Sequence, residues 1–428
     1  MGDMMHDTAE QEEKIILVGV ATAENDDTEQ SLDELEELGQ TAGAVTLAKV
    51  IQNREKVHSA TYIGKGKIQE VKELVEKYDA DCVVCDDELT PAQYNNLQEE
   101  IGVKVIDRTV VILDIFAKRA STSEGKLQVE LAQLRYRASH LVGGRSELSR
   151  LGGGIGTRGP GEQKLEMDRR LIRERITFVR KELAQVQKNR EVTRKKRQEN
   201  PIPVVAIVGY TNAGKSTLLN HLTGAGVLSE DKLFATLDPT TRKFSLENGE
   251  EMLFTDTVGF IRKLPHHLIQ AFRSTLEEAK YADAILHVVD CSNPDMDAQM
   301  HTVYDTLNRL EVGDKPIVTA FNKIDRYEAS ESLKDLHADK TVRISAKYGQ
   351  GIEEMLESIS NVLKANKVLL EKVFSYEEGE KPNLLRKYGQ VLEEEYQNEG
   401  VYMKAYIDRE YLYLFEEPKE RTKEPWEG

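Results

Sequence analysis

The stretch Val204–Leu222, VVAIVGYTNAGKSTLLNHL, constrains the fold more than any other in this chain. An apolar run fit for a buried strand meets Gly209-x4-Gly214-Lys215-Ser216, and a helical pattern follows directly. A glycine-rich turn between strand and helix lets successive backbone N–H groups wrap a phosphate at the helix N-terminus. Lys215 neutralises the β/γ charge, and Ser216 offers an oxygen to Mg²⁺. The cradle comprises Gly209, Tyr210, Thr211, Asn212, Ala213, Gly214, Lys215 and Ser216. In this context the motif demands an α/β domain with a doubly wound, mostly parallel sheet.

The base is read from two later segments. Asn322-Lys323-Ile324-Asp325 follows an apolar strand pattern, and Ser345-Ala346-Lys347 follows the next. A carboxylate at Asp325 can accept from both N1–H and the 2-amino group of guanine, and adenine offers no such donor pair. Between the P-loop and these segments lies Asp256-Thr257-Val258-Gly259, the ordered partner of such a site. The expected ligands are GTP or GDP with Mg²⁺. Many GTPases carry a water-orienting Gln after D-x-x-G, where this chain has Phe260. A benzyl group donates no hydrogen bond, so slow intrinsic hydrolysis and completion of the site by a partner are expected; packing of Phe260 beneath the loop is the plainer alternative. His266 and His267 are candidate replacements, or simply a solvated helix start. Asn212 is a candidate ligand for K⁺, whose charge would act as an arginine finger does, or it only shapes the loop.

The 428 residues exceed one compact core, and the alternation of patterns divides them. Residues 1–13 are expected to be a disordered start. Residues 14–118 read as an α/β domain with strands at KIILVGV, AVTLAKVI, DADCVVCDD and VKVIDRT. Its helices are expected at SLDELEELGQTAG, capped by Ser31, and at KGKIQEVKELVEKY and TPAQYNNLQEEIG. YIGKGK reads as a turn opening a helix rather than a phosphate loop. Cys82 and Cys85 lack a second pair to complete a zinc site and read as buried strand residues. Residues 119–200 carry two apolar seams, Leu127-Leu131-Leu134-Ala138-Leu141 and Ile172-Ile176-Val179-Leu183-Val186, which predict an antiparallel coiled-coil hairpin. Eight glycines between Gly143 and Gly161 form its tip, with Arg145, Arg150 and Arg158. Residues 201–364 form the nucleotide domain, with strands at EMLFTDTVG, AILHVVD, PIVTAFNK and TVRISA. Residues 365–417 read as a small α/β module: a strand at KVLLEKVFSY, a helix over LLRKYGQVLEEEYQNEG and one or two strands in VYMKAYIDREYLYLF. A polar tail, 418–428, ends the chain.

The net charge of −17 is unevenly spread. Lys118–Arg197 holds 21 Lys and Arg against 9 Asp and Glu, a net of +12 set in a remainder of −29. The segment is either an arm that meets polyanions or a solvated rod that spaces two domains. No apolar run approaches the ~18 residues of a membrane span, and the acidic N-terminus is unlike a signal peptide, so a cytoplasmic protein is expected.

The P-loop GYTNAGKST, LFATLDPTTR, DTVGFIRKLPHHLIQAFRSTLEEAKYAD and RGPGEQKLEMDRRLIRERI together resemble an HflX-type GTPase of the Obg-HflX-like superfamily, over roughly Leu17 to Lys364. The resemblance implies that Phe234, Ala235, Thr236, Leu237 and Asp238 form switch I, with Thr236 meeting Mg²⁺ and the γ-phosphate. Thr240 and Thr241 are close competitors. It implies Lys215, Thr236 and Gly259 as the catalytic set, and Ser216 and Thr236 as metal ligands. It further implies binding to rRNA of the large ribosomal subunit and splitting of stalled or idle ribosomes, notably under heat stress; a monomer with no DNA partner is expected. A GTP-regulated assembly or signalling factor without splitting activity is the alternative.

Overall fold

The computed structural model describes residues 12–23, 27–141, 160–198, 202–224, 233–234, 237, 240–246, 249–265, 268, 278–327, 333–365 and 367–415, side chains at 160–165, 189–198, 390 and 408–410 excepted. The first unit runs β1 (Glu13–Ala21), α1 (Thr28–Ala42), β2 (Ala44–Asn53), α2 (Lys65–Tyr78), β3 (Cys82–Cys85), α3 (Pro91–Ile101), β4 (Lys104–Asp107) and α4 (Arg108–Arg119). Its four strands are all parallel, in the order β2-β1-β3-β4. Parallel strands need crossover helices on both faces, which explains why β1 and β3 are apolar on both sides and why Cys82 and Cys85 are fully buried. Burial pushes the Cys82 thiol up to about 12 and Cys85 well above its ordinary value, so neither is a reactive thiolate. The YIGKGK segment is a turn that opens α2, with Gly64 at its N-cap.

Three expectations need correction here. Ser31 does not cap α1, which begins at Thr28 after Asp27; Ser31 is buried one turn inside. The stretch after β4 turns directly into a helix, α4, because the Asp107 carboxylate accepts from the Val110 N–H at 3.2 Å. In the C-terminal unit, the helix α11 (Glu380–Tyr388) is only half as long as expected. Its continuation is the strand β12 (Gly389–Gln397), which pairs antiparallel with β13 (Gly400–Asp408) through Gln397 and Gly400. Together with β11 (Lys367–Phe374) they give a sheet in the order β11-β13-β12, closed on one face by Phe374, Leu385, Met403, Ile407 and Phe415.

The hairpin stands on the first unit. Helices α5 (Ser123–His140) and α6 (Pro160–Gln198) run antiparallel, as Arg169 on the Leu141 carbonyl and Arg175 on Glu130 require. Leu131, Val179 and Leu183 are its buried seam, joined by Leu127, Leu134 and Ile176. At 39 residues α6 is roughly 58 Å long. Arg145, Arg150 and Arg158, with the glycine-rich tip, lie outside the described residues.

The nucleotide domain runs β5 (Val204–Gly209), α7 (Lys215–Thr223), β6 (Thr240–Ser245), β7 (Glu251–Asp256), α8 (Glu278–Tyr281), β8 (Ala284–Asp290), α9 (Met296–Arg309), β9 (Ile317–Asn322), β10 (Lys340–Arg343) and α10 (Ile352–Ala365). Its sheet has the order β10-β9-β8-β5-β7-β6, parallel except for the edge strand β6. One hydrophobic cluster covers the α7 and α10 face. The cluster on the other face continues without a break into the first unit, joining Tyr210, Phe234, Val258, Phe260 and Ile261 to Leu32, Leu35, Ile112 and Phe116. Among the described residues no helix is long and apolar enough to cross a membrane.

Candidate nucleotide site

The P-loop leaves β5 where the sheet order reverses, between β7 and β8, the place where doubly wound sheets gather ligands. Gly214 has φ 95° and Asn212 φ 60°, so the loop turns through left-handed backbone before α7 starts. Lys215 is 6% exposed, and its Nζ donates to the carbonyls of Tyr210 at 2.6 Å and Gly209 at 3.1 Å. Burial drives its pKa down to about 8, against an opposing pull from Asp256. A buried ammonium held by two carbonyls is a charge waiting for an anion. Ser216 Oγ donates to Asp256 Oδ2 at 2.9 Å, setting a hydroxyl beside a buried carboxylate.

The D-x-x-G loop lies against the P-loop. Phe260 N–H donates to the Gly209 carbonyl at 3.1 Å, and Thr211 N–H to the Phe260 carbonyl at 2.8 Å. Thr257 is tied to Ile207 at 2.7 Å, and Val258 is buried. Gly259 fits so closely that a Cβ there would come within 2.9 Å of the Thr211 backbone and 3.0 Å of Lys215 Nζ. Phe260 is 2% exposed and belongs to the interdomain core, the packing alternative foreseen for it.

The guanine motifs are joined through Asn322. Its amide donates to the Ala213 carbonyl of the P-loop at 2.8 Å, and its oxygen accepts from Ala346 N–H at 2.9 Å. Lys323 has φ 63° and pairs with Asp290 at 2.7 Å; Ile324 N–H reaches the Ile344 carbonyl. Asp325 is exposed, and Ser345 Oγ donates to its Oδ1 at 2.6 Å. A carboxylate fixed at one oxygen from within the fold thus stays open to solvent. Lys347 is exposed beside Tyr348.

Of the residues expected to form switch I, Phe234 and Leu237 are buried, with Phe234 edge-on to Phe116 of α4 at 4.7 Å between centroids. Ala235, Thr236 and Asp238 lie outside the described residues, as do His266 and His267. Thr240 and Thr241 are held in the edge strand, where Thr241 Oγ1 shares a hydrogen bond with Thr255 at 2.9 Å.

Sequence reading missed a second set of charged groups around the same loops. Tyr210 Oη donates to Glu34 of α1 and accepts the Arg262 N–H at 2.8 Å. Lys263 Nζ bonds Asp86, and Asp87 at 2.9 Å, just past β3. Arg108, 1% exposed, pairs with Glu34 and with Asp86 at 2.8 Å. The available signal was position: Asp86, Asp87 and Arg108 follow the carboxyl ends of parallel strands, where functional groups collect.

A family model described as GTP-binding GTPase N-terminal matches residues 29–117, and one described as GTP-binding GTPase Middle Region matches 119–197. A third, described as 50S ribosome-binding GTPase, matches 204–323. The chain is 62% identical over 399 residues to the GTPase HflX of Lacrimispora saccharolytica, covering 93% of this chain and 94% of that one. It is 42% identical over 362 residues to the GTPase HflX of Escherichia coli, covering 84% and 85%. Among solved structures, a complex of SsGBP with GDP is 25% identical, covers 82% of this chain and 99% of its own, and has a TM-score of 0.47.

Proposed function

This chain belongs to the HflX family of GTPases, and from that premise we propose that it uses GTP to act on the large ribosomal subunit, splitting stalled or idle ribosomes, notably under heat stress. The observation that carries the reading is the placement of positive charge. A net +12 lies between Lys118 and Arg197, on and beyond a helical hairpin, in a protein otherwise at −29. RNA affinity rests largely on phosphate neutralisation, and an acidic protein needs its cations gathered where contact occurs. The description of the matched nucleotide-domain family as ribosome-binding supports the same partner.

In this reading the P-loop amides and Lys215 hold the phosphates, and Asp325, steadied by Ser345, reads guanine. Asn322 couples the base motif to the P-loop through Ala213. The Gly259 amide meets the γ-phosphate, and Thr236 joins it from switch I. Ser216 and Asp256 present only oxygen donors, which suits Mg²⁺. Bound there, the ion would neutralise charge on the β- and γ-oxygens. Phe260 can orient no water, so hydrolysis is slow until the partner completes the site; K⁺ held near Asn212 would supply a finger-like charge. Completion of this kind is worth ~10³ to 10⁵ in rate.

The test is sedimentation of joined ribosomes with the full chain and a non-hydrolysable GTP analogue. Separation into subunits is expected, with the protein on the large one. Association with free large subunits while joined ribosomes stay intact would replace splitting by an assembly or signalling role. No association with either form would refute the ribosomal reading.

A further inference from the structure

The P-loop and the D-x-x-G loop meet side chain to backbone at one spot. Thr211 N–H donates to the Phe260 carbonyl at 2.8 Å and Phe260 N–H to the Gly209 carbonyl at 3.1 Å, so the two loops run side by side where they leave β5 and β7. A Cβ built on Gly259 would stand 2.9 Å from Thr211 Cα, 2.9 Å from Thr211 Cγ2 and 3.0 Å from Lys215 Nζ. The Thr211 side chain, the Gly259 backbone and the Lys215 ammonium are therefore neighbours around a single point. Lys215 serves the β/γ charge, so in the GTP-bound protein that point lies beside the γ-phosphate.

Thr211 is 5% exposed, and its Oγ1 is buried with no hydrogen-bond partner among the described residues. The other hydroxyls of the two loops are engaged: Ser216 with Asp256, Thr257 with the Ile207 carbonyl, and Tyr210 with Glu34 and the Arg262 N–H. A buried hydroxyl left unpaired costs ~1 to 3 kcal/mol, a cost removed by a ligand that supplies the partner. Oγ1 branches from the same carbon as Cγ2, and one step between staggered χ1 wells carries it to the place that the methyl holds against Gly259. Phe260 cannot fill the role, since its ring is packed in the core at 2% exposure. We propose that Thr211 is a catalytic residue of GTP hydrolysis. Its hydroxyl donates to a γ-phosphate oxygen and accepts from the attacking water, where a GTPase with Gln after D-x-x-G presents the amide of that side chain. The water oxygen bonds to the γ-phosphorus, and the bond from that phosphorus to the bridging oxygen breaks with its electron pair going to GDP. Both water protons leave with the released phosphate, and Thr211 keeps its own. A neutral hydroxyl orients the water without adding positive charge, in keeping with slow hydrolysis in the absence of a partner.

This assignment depends on the GTPase activity and not on the ribosomal reading, so its test uses the full chain without ribosomes. Thr211→Val keeps the branched shape and the methyl against Gly259 and removes the hydroxyl; Thr211→Ser keeps the hydroxyl and removes the methyl. Single-turnover hydrolysis should fall at least about tenfold in Thr211→Val, the modest side of what a lost hydrogen-bond donor costs a transition state. Thr211→Ser should keep at least about half of the parent rate, and GDP affinity should stay within about twofold of the parent in both variants, because the backbone amides that hold the phosphates are untouched. A side chain that only packs the loop predicts the opposite order, with Thr211→Val near the parent and Thr211→Ser slow, and that result would overturn the assignment. So would equal rates in all three proteins, a Thr211→Ser protein as slow as Thr211→Val, or a loss of rate in Thr211→Val matched by an equal loss of GDP affinity.

Discussion

At the scale of single residues, Lys215 and Asp325 do opposite things with charge. Lys215 is buried, with the Asp256 carboxylate the one anion acting on it among the described residues, and burial has brought its pKa to about 8. Bound phosphates favour the ammonium and raise that value. Below pH 8 both free and bound protein hold the proton, and binding takes up almost none. Above it the free protein has lost the proton and the nucleotide must bring it back, so GDP affinity should decline as pH climbs from 8 towards 10. Calorimetry in buffers of different ionisation enthalpy should find little proton uptake at pH 7 and nearly one proton at pH 9; equal uptake at both would show that Lys215 does not titrate there. Asp325 lies exposed, with one oxygen held by Ser345. Asp325→Asn exchanges an acceptor for a donor. It should weaken GTP by about 3 kcal/mol, the range for a charged hydrogen-bond partner lost, while admitting xanthine nucleotides whose 2-oxo group wants a donor. A competition titration of GTP against XTP reads the exchange directly.

Elements were legible in proportion to how local their causes are. The strand, loop and helix of Val204–Leu222 could be read because one short segment carries every constraint, and the seams of α5 and α6 because their four-three spacing admits few other readings. The α4 helix was not legible: VVILDIF is apolar but for Asp114 and shows neither period clearly, so only the Asp107 cap distinguishes it. Nor was β12, where Leu384, Leu385, Tyr388 and Leu392 mimic a helical stripe. Gly389 ends the helix there, and pairing with β13 decides the rest. The charged contacts between the two domains were invisible for a different reason, since Glu34 meets Tyr210 across 176 residues and Asp86 meets Lys263 across 177. The hairpin seam is thin, with three buried apolar side chains among the described residues. Leu131→Ala should therefore cost it about 2 kcal/mol, the low end of the range for such truncations. Amide exchange along α6 should quicken about thirtyfold while GDP affinity stays unchanged, and uniform exchange in the two proteins would mean that the seam does not hold the hairpin together.

For the whole molecule the governing fact is that charge and nucleotide lie on different parts of one continuous body. The basic segment begins where α4 ends and extends through α5 and α6, and the first domain that carries it shares a core with the loops of the nucleotide site. The loop after Gly259 is tied to that same domain by the ion pairs of Lys263 with Asp86 and Asp87. Arg145, Arg150 and Arg158 stand among eight glycines, and small residues let guanidinium groups and backbone come close to an RNA surface. Changing all three to Ala should weaken large-subunit binding by at least tenfold at moderate salt. It should also flatten the dependence of log affinity on log salt, by roughly 0.7 to 0.9 for each phosphate contact removed. GDP affinity, read at a site formed by other residues, should not move. The salt slope is what distinguishes an RNA contact from a spacer: a rod that only separates two domains would keep both its slope and its cosedimentation with large subunits after the three changes.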